Sequence, residues 1–492
     1  MSYSLLTKPW IPVRQGVQVK PVSLLNLFEC WDSLNDVCAA NPPRQIALYR
    51  FLIAIVHAAL RGPEAGQDYK ALWKNQNLGH QICDYLNQWA ERFDLLHPEY
   101  PFLQEANIPQ TIKQTPIGKA VYQDTNTPII WFKPNDTPWL KLPDATQELL
   151  RMQSLELGGK KGDTTTGAGR WTQGRHIFPT GSSIRETLLL NLVQYEATET
   201  DKPVWEQDKP YGTGERHPSG YLDWLTYCER RILLTIDEDK VTHLRLASGW
   251  KLPADTASTW DHHQTFRFFS KEKSWKALIF NPQRQLWDDS EAILHTTEQS
   301  NHRPRIFDWL SNNRKLKDPQ PVRVLGFAHA GGTQSAKAVH WADDVLSVPE
   351  SVLENADAWQ WVEGAINWAR CFGNVFTTKT FQYAPRPSDR NQKSSLKPGE
   401  RNTIATQLPS LQAALYSYIG QQFPRLLLDL ADLDHAPNRL ERWQTDLKSY
   451  SQELVSLLVD MLPDYRSKAI TERMFNVAIY NVMHRSEQEN AV

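Results

Sequence analysis

Cysteine is scarce and scattered in this chain. Its five residues, Cys30, Cys38, Cys83, Cys228 and Cys371, form no CxxC pair and no ladder with histidine. That excludes a dense disulfide framework, argues against a structural zinc site and fits a reducing compartment. Long apolar runs are missing too. The most hydrophobic stretch, Ile46 to Leu60, is too short to span a bilayer and carries Arg50 and His57. The opening MSYSLLTKPWIPV has no basic n-region and no apolar h-region, so a soluble cytoplasmic protein without membrane contact is expected. Net charge is almost absent, at −2 over 492 residues. A chain that gripped nucleic acid unaided would be more basic, so any such contact must be local or shared with other subunits.

Catalytic signatures are absent as well. No GxxxxGK[ST], GxSxG or zincin helix occurs. Asp261-His262-His263 invites a metal-dependent nuclease reading, which needs further ligands at paired spacing, and no HxxxH accompanies it. A polar turn ahead of TFRFF is the expected role of these three residues. No catalytic centre, cofactor or metal is expected.

What is present is tryptophan, glycine in one place, and a change of pattern along the chain. The 19 tryptophans suit core and interface anchors, with a few free to stack on bases. Trp10 to Leu24 reads as a hairpin turning near Gln15-Gly16, and the run from Pro43 to Leu60 as a buried helix. Arg230–Ile236, Lys276–Phe280 and Val322–Ala330 read as strands. After about Asn355 helical periods take over. One helix covers DAWQWVEGAINWARCFGNVF, and a second, LQAALYSYIGQQFPRLLLDL, contains Pro424. A third has Leu440, Trp443, Leu447, Tyr450, Leu454, Leu457 and Met461 at a 3-4 spacing, and AITERMFNVAIYNVM supplies a fourth. The expected fold is α+β: a mixed α/β domain over residues 1–354, then a four-helix bundle over 355–492. The basic stretch 384–402 between the first two helices is expected to be an exposed loop, either a solvated linker or a face for DNA or a partner.

Glycine concentrates in LELGGKKGDTTTGAGRWTQGRH, Leu155 to His176, which holds six of the chain's 23. A backbone without Cβ reaches left-handed conformations and lets another surface come close. One reading is a flexible surface loop. The other is contact with a phosphate ribbon or groove floor, with Lys160, Lys161, Arg170 and Arg175 neutralising charge. A DNA minor groove is narrow enough to favour bare backbone.

KPVWEQD at Lys202 and SGYLDWLTYCERRILL at Ser219 closely resemble a signature of the CasA family, the large subunit of type I-E CRISPR Cascade. Further resemblances follow the family's order: WIPV at Trp10, YPFLQ at Tyr100, GSSIRETLLLNL at Gly181, FRFFSKEKSWKALIFNPQRQLW at Phe266, GGTQSA at Gly331 and LYSYIGQQFPRLLLDL in the bundle. The resemblance implies a non-catalytic subunit that checks a short motif in double-stranded target DNA while guide RNA pairing reads sequence. It implies a glycine loop at Gly159 and Gly162, with Lys160 and Lys161, and a groove-reading lysine at Lys251. A wedge hairpin falls at Thr333, Gln334, Ser335 and Ala336, where the family usually reads Asn-Asn-Gln-Ala. This departure leaves open which side chain inserts. A loop contacting the guide's 5′ end implies Trp131 or Phe132 as its aromatic. Implied partners are the guide RNA, the backbone and small subunits, and the helicase-nuclease that the domain helps recruit.

Overall fold

A computed structural model describes residues 2–121, 139–161, 164–253, 256–282, 284–297, 299–330, 338–384 and 395–489. The chain divides into two compact units. The first comprises Met1–Pro282, Thr296–Leu316 and Gln320–Leu346; the second comprises Gln283–His295, Lys317–Pro319 and Ser347–Val492.

The first unit is organised around the helix Pro42–Leu60. Asn41 starts it by accepting the amide of Arg44 at 3.0 Å, and Pro42 and Pro43 occupy its first turn. Arg61, at φ 50°, ends it in left-handed backbone. Every residue from Pro42 to Ala58 is buried, so this helix has no solvent face and forms the centre of the core. The helix Leu142–Leu155 packs on it, as does the strand Gln320–Ala330. That strand is central in a three-stranded sheet, flanked by Ala338–Val348 and Gly174–Pro179. A second sheet places Arg230–Asp237 antiparallel to Lys240–Ser248, which also pairs with Gln114–Pro116 and Leu140–Lys141. The expected N-terminal hairpin is Ile11–Gln15 with Gln18–Val22, turning through Gly16 at φ 61°. The expected strand at Lys276–Phe280 is displaced. The strand covers Ser274–Ala277, and the Leu278 amide donates to the Thr265 carbonyl at 2.9 Å, one step further along the same register.

The second unit contains the four long helices Ala356–Val375, Pro398–Leu430, Ala436–Asp460 and Tyr465–Glu489. Consecutive helices in this set pack on one another, and the first and last also meet. The short helix Leu286–Leu294 belongs with them, held by Arg370, which pairs with Asp288 at 2.8 Å and Glu291 at 2.7 Å. Two expectations need correcting. Helix Pro398–Leu430 begins inside the basic stretch, with the Lys397 amide donating to Glu400 at 2.7 Å, so 398–402 is helical rather than loop; residues 385–394 lie outside the described residues. In Ala436–Asp460, Trp443, Leu447 and Leu454 are buried, yet Leu457 and Met461 are 52% and 59% exposed while Val455 and Leu458 face inward. A strict seven-residue repeat drifts about 20° per heptad around a straight helix, so three repeats carry its end away from the core.

Candidate nucleic-acid interface

The glycine-rich segment splits into two parts with opposite environments. Its first part is a small antiparallel hairpin, Gly159–Lys161 with Thr164–Thr166, in which Gly159 faces Thr166 and Lys160 faces Thr165. Gly159 sits at φ 136° with no atom within 4 Å of where a Cβ would stand. Its glycine is required by backbone conformation, and the space beside it is open. Gly162 lies outside the described residues, as do Trp131, Phe132, Thr333, Gln334, Ser335 and Ala336.

The base of this hairpin is firmly held. The Gly169 amide donates to the Glu156 carbonyl at 2.9 Å, and the Trp171 amide to the Ser154 carbonyl at 3.0 Å. Arg230 donates to the Gly167 carbonyl at 2.7 Å. Gly158 and Gly169 serve this closure, since a Cβ would fall 2.7 Å from the Ala168 amide and 2.4 Å from the Ser154 carbonyl respectively. These two glycines serve chain-on-chain packing.

Arg170 and Arg175 correct the expectation of four groove-facing cations. Arg170 is held by Glu229 at 2.7 Å and by the carbonyls of Tyr227 and Leu225, with its guanidinium over the Trp171 ring at 4.2 Å. Burial pushes its ionisation down from the ordinary value, and Glu229 opposes that. Arg175 is buried against Phe280 and lies 3.6 Å from Asp344. Both charges are used inside the fold.

Lys251 is exposed. It ends the short strand Trp250–Lys251, which runs parallel to Gly214–Glu215. That strand follows the sheet strand Lys240–Ser248, whose Ser248 hydroxyl donates to the Thr165 carbonyl of the hairpin at 3.4 Å. A cleft of about 580 Å³ is lined by Thr165, Thr166 and Gly167 together with Trp250, Lys251 and Leu252. Its floor includes the Arg170–Glu229 pair. Two features far apart in sequence thus border one concave surface. The strands Gln320–Ala330 and Ala338–Val348, which flank the expected wedge residues, are described and paired.

Asp261-His262-His263 departs from the expected polar turn, since Asp261 and His263 are buried inside the fold. Arg50, fully buried in the central helix, donates to both Asp261 oxygens at 2.9 and 3.1 Å. It also lies 3.3 Å from Nδ1 of both His176 and His263. A guanidinium can only donate, so both imidazoles present Nδ1 as acceptor and are neutral; Nε2 of His176 then donates to the Trp171 carbonyl at 3.2 Å. Burial first, then Arg50, lowers His176 to about 3. Trp171 Nε1 donates to Asp261 at 3.0 Å, and the Trp171 ring lies 4.7 Å from the guanidinium. The cation this carboxylate binds is Arg50. Among the described residues no group of three or more His, Cys, Asp or Glu is placed to hold a metal. Sequence reading missed this network, although Arg50 within the most apolar run was a visible sign that a buried anion had to exist.

Comparison with known proteins places the chain. The family model of CRISPR-associated protein Cse1 matches residues 4–454. The CRISPR-associated protein CasA/Cse1 of Thermus thermophilus is 33% identical over 215 residues, which is 42% of this chain and 42% of that relative. The crystal structure of Cse1 from Acidimicrobium ferrooxidans superposes with a TM-score of 0.83 at 22% identity, covering 99% of both chains. A chain of a CRISPR RNA-guided surveillance complex superposes at 0.76 and 20% identity, covering 97% of this chain and 99% of that one. These two likenesses concern the fold; the family match carries the assignment, and the chain belongs to the CRISPR-associated protein Cse1 family.

Proposed function

We propose that this chain is the large, non-catalytic subunit of a type I-E RNA-guided surveillance complex in the cytoplasm. In this reading it recognises a short motif in double-stranded target DNA from the minor groove. The observation that carries it is the cleft bordered by the glycine hairpin and Lys251. Gly159 offers bare backbone to a narrow groove, and the Lys251 ammonium donates to groove acceptors or a phosphate. Lys160, Lys161 and Gly162 complete the loop's contact. The minor groove separates A·T from G·C only coarsely, so several motifs are tolerated.

Thr333, Gln334, Ser335 and Ala336, between two paired strands, act as the wedge that parts the first base pairs. Opening a base step costs a few kcal/mol, which an inserted side chain partly offsets. Trp131 or Phe132 meets the guide RNA. Residues 355–492 dock the neighbouring backbone and small subunits, and the subunit helps recruit the helicase-nuclease.

Replacing Gly159 by tryptophan tests this reading. The complex should assemble with its guide RNA yet lose affinity for motif-bearing duplex, measured by band shift. Normal duplex binding would leave a structural scaffold as the better description. Gln334→Ala should slow strand opening in a stopped-flow base-analogue assay while largely keeping duplex affinity. The nuclease reading has no comparable support, because its carboxylate is engaged by Arg50.

A further inference from the structure

Phe266–Ala277 compresses four aromatic and four basic residues into twelve, with Glu272 the one acidic residue. It folds as an antiparallel pair, Phe266–Phe269 with Ser274–Ala277, and Asn301–His302 adds a third strand beside the first. Phe268 stands opposite Trp275 in the register, their ring centroids 5.4 Å apart, and Trp275 lies 4.0 Å from His302. Three rings therefore adjoin on this sheet, with Trp275 in contact with both others. Phe268, on the central strand, is 38% exposed. Lys276 pairs with Glu272, whereas Arg267, Lys271 and Lys273 have no ion pair among the described residues. Lys271 and Lys273 are exposed in the turn beside the row, Lys273 at φ 49°.

The chemistry of this surface selects among occupants. A protein-docking patch is depleted of charge at its centre, and lysine is disfavoured there. Here two lysines without ion pairs, Lys271 and Lys273, stand exposed in the turn beside the rings. A duplex offers phosphates but keeps its base faces stacked inside. An unpaired strand presents both, and base faces on aromatic rings with Lys or Arg along the backbone is how sequence-tolerant single-strand sites are built. We propose that this three-stranded sheet is a stacking platform for single-stranded DNA. Phe268 and Trp275 receive base faces, and Lys271 and Lys273 in the adjoining turn receive phosphates. The inference depends on the proposed function only for the source of such a strand, which is the parted duplex.

The test uses the full chain and fluorescence anisotropy with three probes: a 20-nucleotide oligothymidylate, a base-free strand of the same length and a blunt duplex. The native chain should prefer the oligothymidylate to the base-free strand. Phe268→Ala should weaken the oligothymidylate about tenfold, leave the base-free strand unchanged, and be restored by Phe268→Trp. The Lys271→Ala, Lys273→Ala pair should weaken both strands and flatten the logarithmic salt dependence by about 1.4. Equal affinity for strands with and without bases, or native affinity in Phe268→Ala, overturns the proposal. So does a Phe268→Ala chain that keeps oligothymidylate binding and loses only a protein partner. Gly159→Trp should not alter oligothymidylate binding, so motif reading and this platform fail separately.

Discussion

Two halves of one segment make the most instructive comparison in this molecule. Gly159–Thr166 and Gly167–His176 share a composition rich in glycine and basic residues, yet they meet opposite environments. In the first, Gly159 faces open space on a two-stranded hairpin. In the second, Arg170 is locked to Glu229, Trp171 roofs the Arg50–Asp261 pair, and His176 accepts from Arg50. The lesson is that a missing side chain leaves an open surface only where the packed fold leaves space beside it. Where partners exist, the same residues become a clamp.

The largest effect should come from breaking that clamp. Arg50→Met leaves the Asp261 carboxylate buried without its cation, which should cost about 3–5 kcal/mol in urea unfolding of the purified chain. Lys251→Met, a comparable loss of charge at the exposed cleft, should not approach this.

Acid should find the same asymmetry. His57 is lowered to about 4 by burial, and His176 to about 3 by burial and Arg50. Both titrate near 6.5 once unfolded, so between pH 6.5 and 4 the unfolded chain binds protons that the folded chain does not. Stability is therefore full above 6.5 and falls as pH drops, by about 1.4 kcal/mol per unit for each group. Asp261, held well below the usual carboxylate range by Arg50 and the His263 backbone amide against the cost of burial, adds its loss only below about pH 4. Urea midpoints across this range should fall less steeply in His57→Gln.

Glycine substitution sharpens the comparison within the segment. Gly169→Ala forces a Cβ to within 2.4 Å of the Ser154 carbonyl and should cost about 1–3 kcal/mol of global stability. Gly159→Ala meets nothing, and its backbone strain is relieved by local opening of the hairpin. Its unfolding midpoint should stay near native while hydrogen exchange at Lys161 and Thr166 accelerates. The smallest stability change belongs to Lys251→Ala, within about 0.5 kcal/mol, although duplex affinity should fall.

Much of the fold was legible because it rests on local rules. The proline that opens the run from Pro43 announces the central helix, Gly16 the first hairpin, and the 3-4 spacing of Trp443, Leu447 and Leu454 the third bundle helix. The continuation of that stripe to Leu457 and Met461 misled, because period alone does not say where a helix loses its neighbour. Of the site, the unusual glycine content was legible, but its division was not. Whether Arg170 reaches outward or inward depends on Glu229, 59 residues away, and no local pattern encodes that.

The sequence by itself determined the order of helices and strands, the absence of a segment fit to cross a membrane, and the family. Each follows from short-range periodicity, composition or ordered motifs, which are properties of a string. Only the tertiary structure decided which charges are spent internally, that Lys251 borders the glycine hairpin, and that Asp261 belongs to Arg50. Pairing between distant charges depends on which surfaces the packed core brings within a few ångströms, and burial then makes an unpaired partner too costly to keep.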